Sequence, residues 1–278
     1  MKHIWPRLER QSMLWLWRRI SARSRDRTTA MSTGTCLILA PHPDDETLGC
    51  GGLILHKRAA GARVDVVVVT DGAATHGADG ASTLTPTATV VLRERETVAA
   101  CDVLGVSRDR LDFLKFPDGD LAAHEDRLRE RLAELVADLA PAEIYVCALS
   151  DGHRDHRALA RVVRALHGAG QLGGAQLWEY PIWFWDFRSW RPAGASNKGG
   201  FVAGVRAALT AAGQVDAVHV SLAGLRDRKK AALNCHRSQV GLLEEEPGWI
   251  GLQQQFLDFF LRDREVFFRV LPDAGADP

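Results

Sequence analysis

From residue 36 onward, short apolar runs alternate with longer amphipathic stretches, and this alternation restricts the chain to few architectures. The runs "CLILA" (36–40), "VDVVVVT" (64–70), "LDFLK" (111–115), "EIYVCA" (143–148) and "AQLWEY" (175–180) are β-prone. Their near-continuous apolar character suits strands buried on both faces. Between them, "ETLGCGGLILHKRAAG", "TATVVLRERETVAACDVLG", "AAHEDRLRERLAELVADLA" and "DHRALARVVRALHGAG" repeat apolar residues at three and four spacing and end near Gly or Pro. The pattern predicts an α/β fold, a single domain with a Rossmann-like, mostly parallel sheet and helices on both faces. After Pro181 the rhythm gives way to an aromatic segment, a Gly- and Ala-rich stretch (193–214), a strand "AVHVSL", a helix near 222–236 and a closing "EVFFRV". These read as an extension of the same domain.

Charge narrows the partners. Thirty-five basic residues balance 35 acidic ones, so no global field attracts nucleic acid, and none is expected as a partner. The five cysteines are scattered and form no CxxC pair, which points to a reducing cytoplasm. No apolar run reaches the ~20 residues that a membrane span requires. Residues 1–34 form a basic N-terminal extension to a domain over 35–272, with a tail at 273–278. The first thirty residues hold eight Lys or Arg against two acids and include "MLWLW". They read as a short helix packed on the domain or a loose segment before Met31, with peripheral contact to an anionic membrane as the other reading. A homo-oligomer is compatible with all of this.

The stretch "LILAPHPDDETLGCGG" (37–52) crowds His42, Asp44, Asp45 and Glu46 onto the turn after the first strand. Such carboxylates repel one another unless a cation sits among them. A second cluster, "SDGHRDHRALA" (150–160), brings His153, Asp155 and His156 to the turn after the fourth strand. Both turns lie at the carboxyl edge of a parallel sheet, where open α/β folds bind ligands. Imidazole and carboxylate donors without thiolates suit zinc, with iron(II) or cobalt(II) as substitutes. The surplus of acids and histidines over ligands suits a hydrolase. One cluster alone would do no more than cap a helix. The loop "DGAATHGADGASTLTPTA" (71–88) follows the second strand and is placed to wall or cover the site.

"APHPDDE" followed by "HRDH" resembles the LmbE-like, PIG-L-like family of zinc-dependent N-acetylglucosaminyl deacetylases. Weaker similar features are "VTDGA", "LRERETVAACDVLG", "FPDG" and "HRSQ", so the resemblance spans about residues 35–270. It implies that His42, Asp45 and His156 bind zinc and that Asp44 is the general base for zinc-bound water attacking an amide carbonyl. It also implies that His153, as a protonated imidazole, supports the oxyanion and donates to the departing amine, with Asp155 orienting or tuning it. Glu46 reads as a helix-start residue or a support for the ligands. Arg93 would hold polar groups of the substrate, although "RERE" is also what an exposed helix face looks like. The implied substrate is a small-molecule or glycolipid N-acetyl sugar. Asp151 stands where some relatives carry an aromatic residue, so no tyrosine can act at that position.

Other readings remain at this stage. "LGCGG" lacks the third glycine of a dinucleotide fingerprint, Ile54 standing in its place, and follows an acidic turn that repels phosphate. Glycines there would serve close packing of the first helix on the sheet. An amidase acting on a thiol conjugate or a lipoglycopeptide, or a non-catalytic metal-containing binding protein, would share the same residues. The aromatic segment "WEYPIWFWDFRSW" (178–190) divides between core packing and a pocket wall.

Overall fold

The computed structural model describes residues 4–74, 84–246, 249 and 251–271. Its strands are β1 (Arg25–Asp26), β2 (Cys36–Ala40), β3 (Val64–Thr70), β4 (Leu111–Phe116), β5 (Glu143–Cys147), β6 (Gln176–Tyr180), β7 (Asp216–Ser221) and β8 (Arg264–Arg269). They form one sheet in the order β1-β7-β8-β6-β5-β2-β3-β4. Every neighbouring pair is parallel except those involving β8, which runs antiparallel to β6 and β7. Chain order reverses at β2, which has β3 on one side and β5 on the other, with Leu37 opposite Ile144 and Leu39 opposite Val146. This is the switch point at which open α/β sheets part to form a crevice.

The helices are α1 (Ile4–Arg23), α2 (Thr28–Ser32), α3 (Asp45–Ala59), α4 (Pro86–Leu104), α5 (Glu125–Leu139), α6 (Arg154–Gly168), α7 (Asn197–Gln214), α8 (Arg226–Cys235) and α9 (Gln254–Leu257). The seven apolar runs and four crossover helices read from the sequence lie within a few residues of these bounds. Helix α7 falls in the Gly- and Ala-rich stretch, whose small residues carry little apolar contrast. Its start is marked instead by Ser196, whose hydroxyl accepts the Gly199 N–H at 3.2 Å.

Residues 4–32 take part in the same packing. Met13, Leu16, Trp17 and Ile20 of α1 are buried in the core, α1 lies against α7, and β1 extends the sheet beside β7. Among the described residues no helix is long and apolar enough to cross a membrane. Most of the loop 71–88 (residues 75–83) and the tail 273–278 lie outside the described residues.

Helix α3 comes close to its neighbours because its glycines let it. A β-carbon at Gly49 would overlap the Tyr180 ring, and one at Gly52 would overlap Leu222 and press on the Glu265 carboxylate. Glu265 accepts the Gly52 and Leu53 N–H groups at 2.5 and 2.8 Å and pairs with the buried Lys229 at 2.6 Å. The glycines therefore pack a helix whose N-terminus carries the acidic turn. Gly49→Ala is expected to cost about 1–3 kcal/mol of stability through this overlap. Gly213→Ala, in open space on α7, should be neutral or slightly stabilising. Denaturant unfolding of the two variants checks the pair.

Candidate active site

The pairing of β2 with β5 sets their following turns side by side. His42 to Glu46 leave β2 and open α3, while Asp151 to His156 leave β5 and open α6. His42 Nδ1, Asp45 Oδ2 and His156 Nε2 form a nearly equilateral triangle, with edges of 3.3, 3.2 and 3.2 Å. Zinc bonds of ~2.0–2.2 Å in tetrahedral geometry place donor atoms roughly 3.3–3.6 Å apart, so the triangle fits three of four positions around such an ion. Two other donor sets, His42–His153–His156 and His42–Asp118–Asp155, lie within 4.8 Å. The triangle is the better site because each of its imidazoles has its other nitrogen anchored. His42 Nε2 faces Asp118 Oδ1 at 3.2 Å and Asp155 Oδ2 at 3.1 Å, and His156 Nδ1 meets Asp151 Oδ2 at 2.9 Å. Carboxylates behind metal-ligating imidazoles fix their orientation and raise their basicity.

These supports are themselves held. Asp155 accepts the backbone N–H groups of Gly119 (2.7 Å) and Leu121 (3.2 Å), and Asp118 accepts that of Ala74 (3.0 Å). Asp151, fully buried, accepts the N–H groups of Ile182 and Phe184 at 3.2 and 2.8 Å. Sequence reasoning assigned no role to Asp118 or Asp151. The signal for Asp118 was "FPDG", an Asp-Gly turn directly after a strand. The carboxylate of Asp155 rests on His42 and on two backbone amides, not on the imidazole of His153.

Asp44 is the strained residue of the site, a non-glycine at φ 124°. Its side chain lines the cavity alongside Asp45. Burial and the adjacent Asp45 charge push its pKa up to about 7, against the pull of Arg93 and His236. Arg93 is buried, donates to the carbonyls of Gly72 (3.0 Å) and Pro43 (2.7 Å), and comes within 3.8 Å of Asp44. It thus braces the turn that carries Asp44. Glu46 accepts from His236 (3.0 Å), Thr47 (2.6 Å) and the Asp44 N–H (3.1 Å), which keeps it out of the triangle.

His153 caps α6, its Nδ1 accepting the Asp155 N–H at 3.3 Å. A neutral ring with Nδ1 as acceptor carries its proton on Nε2. Burial, with the positive charges of His42 and His156, lowers its pKa to about 3. Burial also opposes charge on His42 and His156. Hydrogen bonds to Asp118, Asp155 and Asp45 nevertheless lift His42 well above its ordinary value, and Asp45 with Asp151 lifts His156 to about 9.

Above these groups lies a cavity of about 310 Å³, with Leu48, Ile182, Trp183, Leu252 and Phe256 forming its apolar side and Gln239 its polar rim. The His153 ring stacks at 27° to Trp183, with centroids 6.3 Å apart. Of the aromatic segment, Trp178, Tyr180, Phe184, Trp185 and Phe187 are buried, and Trp183 faces the cavity. Lys229 is committed to Glu265 and the Leu48 carbonyl, away from the cavity.

Fold and site together define an α/β enzyme. Residues 37–167 match the model described as PIG-L: GlcNAc-PI de-N-acetylase, so that segment is similar to this family of amide hydrolases. The chain is 28% identical over 251 residues to the 1D-myo-inositol 2-acetamido-2-deoxy-alpha-D-glucopyranoside deacetylase of Kineococcus radiotolerans, covering 74% of this chain and 69% of that one. It is 31% identical over 139 residues to "Probable N-acetyl-alpha-D-glucosaminyl L-malate deacetylase 2" of Bacillus subtilis, covering 47% and 60%. The fold is shared with N,N'-diacetylchitobiose deacetylase from Pyrococcus horikoshii (TM-score 0.59, 18% identity, 92% of this chain and 90% of that one). It is also shared with GalB, the 4-carboxy-2-hydroxymuconate hydratase from Pseudomonas putida (TM-score 0.57, 16% identity, 88% and 100%). The last two likenesses concern the fold alone, which carries different chemistry in the two proteins.

Against the effect of burial, the surrounding carboxylates raise the pKa of both His42 and His156, so protons compete with a metal for their ring nitrogens. A metal that takes His42 Nδ1 and His156 Nε2 displaces those protons. Binding of zinc near pH 7 is therefore expected to release protons, and apparent affinity should fall as pH drops. Titration calorimetry in buffers of different ionisation enthalpy checks both.

Proposed function

We propose that this protein removes the N-acetyl group from an N-acetylglucosamine-type sugar conjugate, using a divalent metal, zinc, held by His42, Asp45 and His156. The observation that carries the reading is the 3.2–3.3 Å donor triangle beside the strained carboxylate of Asp44. The family match and the two curated relatives, both named as deacetylases of N-acetylated glucosamine conjugates, support the substrate class. When bound, the ion supplies Lewis acidity, lowering the pKa of water and polarising an amide carbonyl.

The chain's own residues do the rest. Asp44 faces the cavity with a pKa near neutrality, so as carboxylate it takes a proton from the attacking water. The same proton is then available to the amine as the carbon–nitrogen bond breaks, giving acetate and a free amino sugar. His153 lines the cavity with its Nδ1 held by the Asp155 N–H, which leaves its Nε2–H as donor to the developing oxyanion. Asp155 and Asp118 orient His42, Asp151 orients His156, and Arg93 fixes the Asp44 turn.

Acetate release from a panel of N-acetylglucosamine conjugates, with chelated and zinc-restored protein side by side, tests the reading. Zinc-dependent release is expected; bound zinc without release from any conjugate would overturn it. Asp44→Ala should retain metal and lose about 10²–10⁴-fold in kcat, whereas His42→Ala and His156→Ala should lose the metal. Asp151→Asn should weaken metal binding by about 10–100-fold while leaving a folded protein. Metal content by mass spectrometry, measured with kcat on each variant, separates these outcomes.

A further inference from the structure

The catalytic cavity, at about 310 Å³, is at the lower end of the ~300–1,000 Å³ typical of small-molecule sites. It has room for little more than one sugar residue. A second groove, of about 270 Å³, shares Trp183, Leu252 and Phe256 with it. Trp183 and Phe256 are stacked on each other, with centroids 4.9 Å apart and planes at 18°, so the boundary between the two spaces is an aromatic pair. Beyond this pair the groove floor is formed by Trp185, Phe187 and Phe259, which are almost wholly buried, and its sides also carry Asp186, Arg188, Gln253 and Gln255.

The far wall comes from α1, through Pro6, Glu9, Arg10 and Met13. This helix lies outside the family-matched segment 37–167. It is seated by Met13, Leu16, Trp17 and Ile20, all buried. Arg10 is about half exposed and reaches Asp258 only at 3.9 Å, which leaves its stem over the groove.

We propose that this groove is the aglycone subsite and that it selects conjugates whose sugar is linked to a flat aromatic group. The inference rests on the sugar-deacetylase reading above. An aryl aglycone leaving the catalytic cavity meets the half-buried rings of Trp183 and Phe256 at the boundary, where burial of apolar and aromatic area favours it. A methyl or other small polar aglycone makes neither contact. The N-terminal helix is thereby a specificity element of this chain.

The test compares 4-methylumbelliferyl with methyl N-acetylglucosaminides, as both anomers, for kcat/KM on the zinc-loaded protein. The corresponding glucosaminides, which lack the amide, report binding alone by calorimetry. The aryl compound is expected to be favoured about tenfold or more in both measurements. Gln255→Lys, which fills the groove from an exposed position with a charged side chain, and Arg10→Ala, which opens its α1 wall, should each reduce that ratio towards one. Turnover without aryl preference in either measurement, or a preference that both variants keep, overturns the subsite and leaves the deacetylase reading standing. Aryl-selective binding that both variants reduce, without turnover of any compound, supports the groove and overturns the deacetylase reading. Neither binding preference nor turnover overturns both.

Discussion

The parallel pairing of β2 with β5 is the constraint from which the site follows. Residues 42 and 156 are far apart in sequence, yet each follows the carboxyl end of one of these two strands. A ladder of backbone hydrogen bonds holds that adjacency within a few tenths of an ångström, and strand-anchored turns inherit its precision. The sheet reverses its winding there, so no crossover helix fills the space above the two turns. What accumulates is negative charge: Asp44, Asp45, Asp118, Asp151 and Asp155 are all buried or nearly so. His42 and His156 stand among these carboxylates, which raise the pKa of both imidazoles, and a divalent ion at the triangle would offset the same charge.

The strands were legible in the sequence because burial on both faces leaves an unbroken apolar signature, and β2 and β3 match their runs residue for residue. The crossover helices were legible for the complementary reason, each having one face on the sheet. Helix α7 was not, since glycine and alanine give no contrast between its faces. The donor residues of the site could be read as local clusters on strand ends. Their supports could not: Asp118 and Asp151 act on imidazoles that reach them only through the sheet order, and sequence does not state which strands are neighbours. The position of Asp155 shows the same limit, because two residues along the chain it lies beside His153, whereas in space its carboxylate serves His42.

The N-terminal helix shows how a basic segment can serve packing. A short helix packed on the domain was one reading of residues 1–30, and one face of α1 supplies Met13, Leu16, Trp17 and Ile20 to the core while Pro6, Glu9 and Arg10 line a groove next to the candidate site. Arginine stems cover apolar surface while their guanidinium groups remain solvated. A basic helix can therefore be part of a domain's core packing.

The backbone at Asp44 has an evolutionary consequence. With φ at 124°, the position costs of order 1–3 kcal/mol for any residue with a β-carbon, and glycine would relieve that cost. Selection for stability alone would drive position 44 to glycine, and the carboxylate would vanish while the sheet, the donor triangle and the cavity stayed in place. A chain with this fold and a glycine there would shed that strain and carry no carboxylate at this point of the cavity. An aspartate at this position therefore stands against the conformational preference of its own backbone.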